Sequence, residues 1–136
     1  MRNSPPEYHS RRLLVVDDEP SIRTLVKQVL EMEGFQITEA GSAREALRAL
    51  EEHDIDLLVT DILMPEVTGL ELAEAARVED PALPILFISG SEPEQSAAYC
   101  GCSFLRKPFS LGDLAAKVRD LLPVEEKRAA APRGWR

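Results

Sequence analysis

Leu13-Leu14-Val15-Val16-Asp17-Asp18 is the stretch that decides the architecture. Four consecutive apolar residues without polar alternation describe a strand buried on both faces, as in a parallel sheet covered by helices. The acidic pair then falls where that strand ends. The arrangement recurs downstream: Asp61 follows the run Ile55 to Thr60, and Lys107 stands directly before Pro108, just past the short run Ser103 to Leu105. In an open parallel sheet every carboxyl end lies on one edge, so these four charges converge on a single crevice. Two like unit charges about 4 Å apart repel by roughly 4 kcal/mol at an effective dielectric of about 20. Three clustered carboxylates therefore predict a hard divalent cation.

Helical stripes fill the intervals between the strands. Glu19, Pro20 and Ser21 open a helix through about Met32, with Ile22, Leu25, Val26, Val29 and Leu30 on one face, and Gly34 closes it. Phe35 to Thr38 reads as a second strand. Ser42 with Glu45 forms a capping-box pattern ahead of Ala43, Ala46, Leu47 and Leu50. Ile55 to Thr60 is a third strand, Leu70 to Val78 a third helix, Pro84 to Ile88 a fourth strand, and Ser91 to Cys100 a polar fourth helix. Ser103 to Leu105 is a brief fifth strand. Ser110 and Asp113 start a last helix through Leu122, with Leu111, Leu114, Val118 and Leu121 expected to face inward. Five strands, each followed by a helix over short connections, predict an α/β doubly wound parallel sheet.

Composition narrows the function. At 136 residues and 44% hydrophobic content the chain reads as one domain with a sizeable core. There is no run of 18 apolar residues and no apolar segment in the polar Met1 to Ser10 stretch, so the expectation is a soluble cytoplasmic protein without membrane association. Of the net charge of −8, residues 13–122 carry −12, offset by weakly basic ends. Such a surface repels a phosphate backbone, and no nucleic-acid binding is expected. Cys100 and Cys102, one residue apart, have poor spacing for a disulfide and supply half the ligands of a structural zinc site; they read as small apolar side chains. His9 and His53 sit in polar segments with no catalytic neighbours. Residues 123–136, with Ala129 to Ala131, Pro132 and Gly134, read as a disordered tail, and 1–11 as a flexible N-terminus.

Val15-Val16-Asp17-Asp18-Glu19-Pro20, Asp61-Ile62-Leu63-Met64-Pro65 with Gly69, Ser89-Gly90, and Phe104-Leu105-Arg106-Lys107-Pro108-Phe109 together resemble the receiver domain of two-component response regulators, over residues 12–122. Singly, each motif has an ordinary reading: a helix-favouring acidic pair, a cap, a turn, a solvated lysine. Together they would be four coincidences at one sheet edge. The resemblance implies a flavodoxin-like five-stranded sheet in order 2-1-3-4-5 with five helices. It assigns Asp61 as phosphoacceptor, taking a phosphoryl group from a sensor histidine kinase or a histidine phosphotransferase. It also implies Mg²⁺ held directly by Asp18 and Asp61, with Asp17 reaching it through water and the Leu63 backbone carbonyl as a further ligand. Lys107 would contact a phosphoryl oxygen, Pro108 would follow a cis peptide, and Ser89 and Phe104 would act as switch residues. Signalling would run through the fourth helix, fifth strand and last helix to a downstream protein, from a monomer or a weak phosphorylation-dependent dimer.

Other classes fit less well. A flavin binder would cradle phosphate in a glycine- and hydroxyl-rich loop after the first strand, whereas Asp17-Asp18-Glu19 repels anions. An aspartate-nucleophile phosphatase would carry a second acid two residues beyond its nucleophile, where this chain has Leu63. The expectation is a phosphoacceptor domain rather than an enzyme, with only self-phosphorylation and slow autodephosphorylation. The alternatives are a phosphorylation-independent interaction module and a receiver fragment of a larger regulator or hybrid kinase.

Overall fold

Alternate residues of each apolar run feed opposite faces of one sheet. Strands β1 (Arg12–Val16), β2 (Gln36–Ala40), β3 (Leu57–Asp61), β4 (Ile85–Ser89) and β5 (Ser103–Arg106) pair entirely in parallel in the order β2-β1-β3-β4-β5. This is the flavodoxin-like sheet expected from the sequence. The computed structural model describes residues 11–90 and 102–122. Its helices are α1 (Pro20–Met32), α2 (Ala43–Glu52), α3 (Gly69–Glu79) and α4 (Leu111–Leu121). The fourth helix expected over Ser91 to Cys100 lies outside the described residues, so α4 here is the last helix of the sequence reading.

Leu14, Val16, Leu58, Ile85 and Phe87 point to the side covered by α2 and α3, where Ala43, Ala46, Leu72, Ala73 and Ala76 meet them. Leu13, Val15, Leu57, Val59, Leu86, Ile88 and Leu105 point to the side covered by α1 and α4, against Val26, Leu30, Leu114 and Val118. Two cores, each filled by every second residue, explain why the central strands lack polar alternation. The edge strand β2 shows the contrast, with exposed Gln36 and Glu39 among its five residues.

Helix ends follow local chemistry. Gly34 adopts φ 106°, and its N–H and that of Phe35 donate to the Glu31 and Leu30 carbonyls, closing α1 in a Schellman turn that a side chain at this position would strain. Ser42 accepts the Glu45 N–H as expected, but Glu45 Oε1 takes the Gly41 N–H at 2.8 Å rather than that of Ser42, so the capping box is one residue askew. A complete box stands where none was read, with Thr68 and Glu71 exchanging bonds at the start of α3. Ser110 accepts the Asp113 N–H at 2.9 Å.

Several expected details shift. β3 starts two residues later than the run Ile55 to Thr60 and extends to Asp61, because Asp56 is occupied at the opposite edge: its N–H donates to the Arg12 carbonyl and its carboxylate accepts the Arg12 N–H. Leu25, Leu47 and Leu111 lie at the borders of their stripes and remain 39%, 37% and 46% exposed. They lie off the centre line of their helix contacts, where Leu30, Ala46 and Leu114 are fully buried. Arg11, read as part of a flexible N-terminus, is 2% exposed. Cys102, expected as a plain apolar side chain, is disulfide-bonded and packs partly buried against the core; Cys100 lies outside the described residues. No helix among the described residues is long and apolar enough to cross a membrane.

The two-sided core makes a direct prediction. Leu58→Ala should lower unfolding stability by about 2 to 5 kcal/mol through lost burial and a residual cavity, whereas Leu47→Ala should cost well under half of that. Urea unfolding of the two variants checks the ranking, and a comparable loss in both would contradict the assigned faces.

Candidate functional site

Three strands deliver charge to one end of the sheet. β1 ends at Val16 and hands Asp17 and Asp18 to the loop before α1, β3 ends on Asp61 itself, and Lys107 follows the last residue of β5. Carboxylate oxygens of Asp17, Asp18 and Asp61 all lie within 4.8 Å of one another. Asp17 and Asp61 are buried and Asp18 is exposed. Lys107 Nζ stands 3.0 Å from Asp61 Oδ2. The four charges read from the sequence are therefore adjacent in space.

Each carboxylate is oriented by its backbone surroundings. Asp61 Oδ1 accepts the Leu63 N–H at 3.2 Å, so both of its oxygens are engaged. Asp17 Oδ1 accepts the Glu19 N–H at 2.9 Å, while the Asp17 N–H is tied to the Ala40 carbonyl of β2. Burial pushes the Asp17 carboxyl above its usual range; the Glu19 N–H pulls the other way, Asp61 raises it further, Lys107 lowers it and Asp18 raises it. Burial also works against the Lys107 ammonium, but its hydrogen bond to Asp61 and the charges of Asp61, Asp17 and Glu19 outweigh this and leave its pKa raised. The cluster holds more negative charge than its one ammonium offsets.

The donor set suits a hard cation. All three side chains offer oxygen, the ligand class of Mg²⁺ and Ca²⁺. An octahedral Mg²⁺ keeps neighbouring ligand oxygens about 3 Å apart and opposite ones about 4 Å apart. Oxygens already within 4.8 Å need only small rotations to meet such an ion.

Beside the charges, Ser89 is buried at the end of β4, and its carbonyl accepts the Lys107 N–H at 2.8 Å. The Lys107–Pro108 peptide is cis. Phe104 is half-buried on β5, its ring centroid 6.1 Å from that of Phe87. Leu63 is 65% exposed at the mouth of the site.

The β3–α3 loop is held against the phosphoacceptor candidate by a glycine. A Cβ built on Gly69 would lie 2.1 Å from the Asp61 carbonyl oxygen, and the Gly69 N–H donates to the Ile62 carbonyl at 2.8 Å. Between them Glu66 takes φ 70°, and the Val67 N–H closes on the Pro65 carbonyl at 2.7 Å, giving a tight γ-turn of the rarer hand. Thr60, fully buried, donates its hydroxyl to the Asp61 carbonyl at 2.9 Å. The sequence reading assigned no role to Thr60 or to the Leu63 N–H, since a threonine inside a strand and a main-chain donor carry no side-chain signature. The Thr68-x-x-Glu71 box has a sequence pattern, but it sits just ahead of the apolar stripe beginning at Leu70, which dominates the reading of this stretch.

With fold and site in place, the class is defined: residues 13–119 match the family model described as the response regulator receiver domain, and the chain belongs to that family. Among curated relatives it is 36% identical over 115 residues to the transcriptional regulatory protein TrcR of Mycobacterium tuberculosis, covering 82% of this chain and 45% of that protein. It is 35% identical over 117 residues to the response regulator receiver protein CpdR of Brucella abortus, covering 82% of this chain and 97% of that one. The chain thus spans about half the length of TrcR and nearly all of CpdR. Among solved structures, the response regulator protein TrrA of Thermotoga maritima, in complex with Mg²⁺-BeF, superposes with a TM-score of 0.75 at 35% identity, covering 82% of this chain and 99% of that one.

Two predictions follow from the geometry. Gly69→Ala drives a methyl into main chain, so it should destabilise the fold by about 1 to 3 kcal/mol and displace Asp61; unchanged melting would show that the loop yields freely. For Asp17, a folded-state pKa above the ordinary value of 3.8 means the native state binds protons more tightly, so stability falls as pH rises through the window from 3.8 to the raised value. Without divalent cations Asp17→Asn should therefore melt higher than wild type at pH 7, with the gap closing as pH falls below 3.8. Equal melting temperatures at pH 7 would show that Asp17 carries no such penalty.

Proposed function

We propose that this receiver domain, residues 12–122, is a phosphorylation-activated switch in which Asp61 accepts a phosphoryl group from the phosphohistidine of a sensor histidine kinase or a histidine phosphotransferase. The observation that carries this reading is the meeting of Asp61 with Lys107 at 3.0 Å and with the carboxylates of Asp17 and Asp18 at one sheet edge. An Asp61 oxygen attacks phosphorus, the phosphorus–nitrogen bond of the donor breaks, and the imidazole leaves. Because phosphoryl transfer asks chiefly for positioning and charge neutralisation, the protein's part is to aim the carboxylate and balance the charge.

Asp18 and Asp61 would hold Mg²⁺ directly, Asp17 through water, with the Leu63 carbonyl as a further ligand; the Mg²⁺-BeF bound in the TrrA structure supports this choice of ion. When bound, the ion would screen the carboxylates from each other and from the incoming phosphoryl oxygens. Lys107 would exchange its bond to Asp61 Oδ2 for a phosphoryl oxygen. The Leu63 N–H steadies the other carboxylate oxygen. Ser89 would hydrogen-bond the new phosphoryl group, and Phe104, already partly packed against the core, would turn further inward. Phe104 lacks a tyrosine hydroxyl, so burying its ring leaves no polar group unsatisfied. Output would pass through segment 91–100, β5 and α4 to a downstream protein, from a monomer or a weak phosphorylation-dependent dimer in the cytoplasm, without nucleic acid or membrane contact. Leu63 offers no polar group to an attacking water, so autodephosphorylation is expected to be slow, and the domain signals rather than turns over substrate.

Acetyl phosphate with Mg²⁺ should add one phosphoryl group by intact mass, and the adduct should vanish with chelator or in Asp61→Asn. Absence of an adduct on folded wild-type protein, repeated with a cognate kinase, would instead favour a phosphorylation-independent interaction module. The wild-type adduct should persist for minutes or longer, and decay within seconds would refute the role given to Leu63.

A further inference from the structure

Arg23, on the first turns of α1, makes contacts unlike those of a solvated helix arginine. Its Nη1 donates to the Asp17 backbone carbonyl at 2.7 Å, and its Nε donates to Glu39 Oε1 of β2 at 3.2 Å. Glu39 is braced in turn by Lys27 Nζ at 3.3 Å, one helical turn further along α1. Gly41 walls the guanidinium: a Cβ there would lie 3.1 Å from Arg23 Nη1. The Arg23 side chain is 20% exposed, so the fork is seated rather than waving in solvent.

These bonds complete a set of restraints on one residue. The Asp17 N–H is tied to Ala40, its carboxylate to the Glu19 N–H and its carbonyl to Arg23. The charges that shift the Asp17 carboxyl are those of Asp61, Lys107 and Asp18, while the guanidinium meets the Asp17 main-chain carbonyl. We propose that Arg23 is a positioning residue of the acidic site, gripping the Asp17 carbonyl from the Glu39 brace so that the carboxylates of Asp17 and Asp18 stand preorganised for a divalent cation. The proposal rests on reading those carboxylates as the Mg²⁺ site.

The direction of the effect separates positioning from plain charge. A cation near an acidic cluster repels an incoming divalent ion, so Coulomb's law alone makes removal of Arg23 tighten binding. Loss of a residue that orients metal ligands instead weakens metal affinity, commonly by 10- to 100-fold. Mg²⁺ titration by calorimetry on wild type, Arg23→Ala and Arg23→Lys, with melting temperatures taken without metal, provides the test. Arg23→Ala should weaken Mg²⁺ binding about tenfold. Arg23→Lys keeps the charge but loses the two-pronged grip, so it too should bind more weakly, and it decides the matter if Arg23→Ala does not fold. In phosphorylation by acetyl phosphate, the variants should need more Mg²⁺ for half-saturation yet approach the wild-type rate at saturating Mg²⁺. Wild-type or tighter Mg²⁺ affinity in either folded variant overturns the proposal. Failure of the wild type itself to bind Mg²⁺ is a separate result that removes the metal reading and this one with it.

Discussion

The site depends on parallel pairing. Because β1, β3, β4 and β5 all run the same way, Asp17, Asp61, Ser89 and Lys107 arrive at one edge though they are spread over 91 positions of the chain. An antiparallel neighbour would send its terminal residue to the far edge. Parallel pairing requires a crossover between successive strands; those among the described residues put α1 on one face and α2 and α3 on the other, and α4, after β5, packs beside α1. Covering both faces is what makes the central strands apolar, so hydrophobic pattern and charge cluster are consequences of one topological choice.

That choice concentrates like charge in a partly buried place, which the fold tolerates rather than relieves. Lys107 neutralises Asp61, main-chain donors from Glu19 and Leu63 each take a carboxylate oxygen, and Asp18 stays in solvent. The raised pKa of Asp17 reflects its burial first, with the charges of Asp61 and Asp18 adding to it. A cluster relaxed by internal partners would gain little from binding a cation. Affinity for a cation depends on the imbalance being left in place by a scaffold stable enough to hold it.

Most of the fold and the charged centre of the site could be read from the chain, because both are written in side-chain type. Leu13 to Val16 announces two-sided burial, and Asp17, Asp18, Asp61 and Lys107 announce charge at strand ends. The unread features are those whose meaning depends on geometry. Arg23 looks like any exposed helical arginine until its guanidinium is seen on a carbonyl 2.7 Å away. Thr60 looks like strand filler until its hydroxyl is found on the Asp61 carbonyl. Leu25, Leu47 and Leu111 fit the apolar stripes by spacing, but a stripe is wider than the contact that buries it, and the sequence does not mark where the neighbouring helix stops. The resemblance to receiver domains supplied strand order, which apolar pattern alone left open.

Lys107 links the chemistry to the rest of the domain. Its ammonium holds Asp61, its N–H is fixed to the Ser89 carbonyl at the end of β4, and it continues directly from β5, which carries Phe104. Transfer to Asp61 would move negative charge outward from the carboxylate to the phosphoryl oxygens, and the ammonium, which hydrogen-bonds that carboxylate, would follow it. A main chain clamped at Ser89 restrains how far the lysine alone can extend. The remaining displacement would fall on the two β4 and β5 ends that meet there, where the Phe87–Phe104 contact leaves a ring only half enclosed. In the proposed switch, charge movement at Asp61 would be coupled to packing at Phe104 through Lys107 and the β4 and β5 ends that it joins.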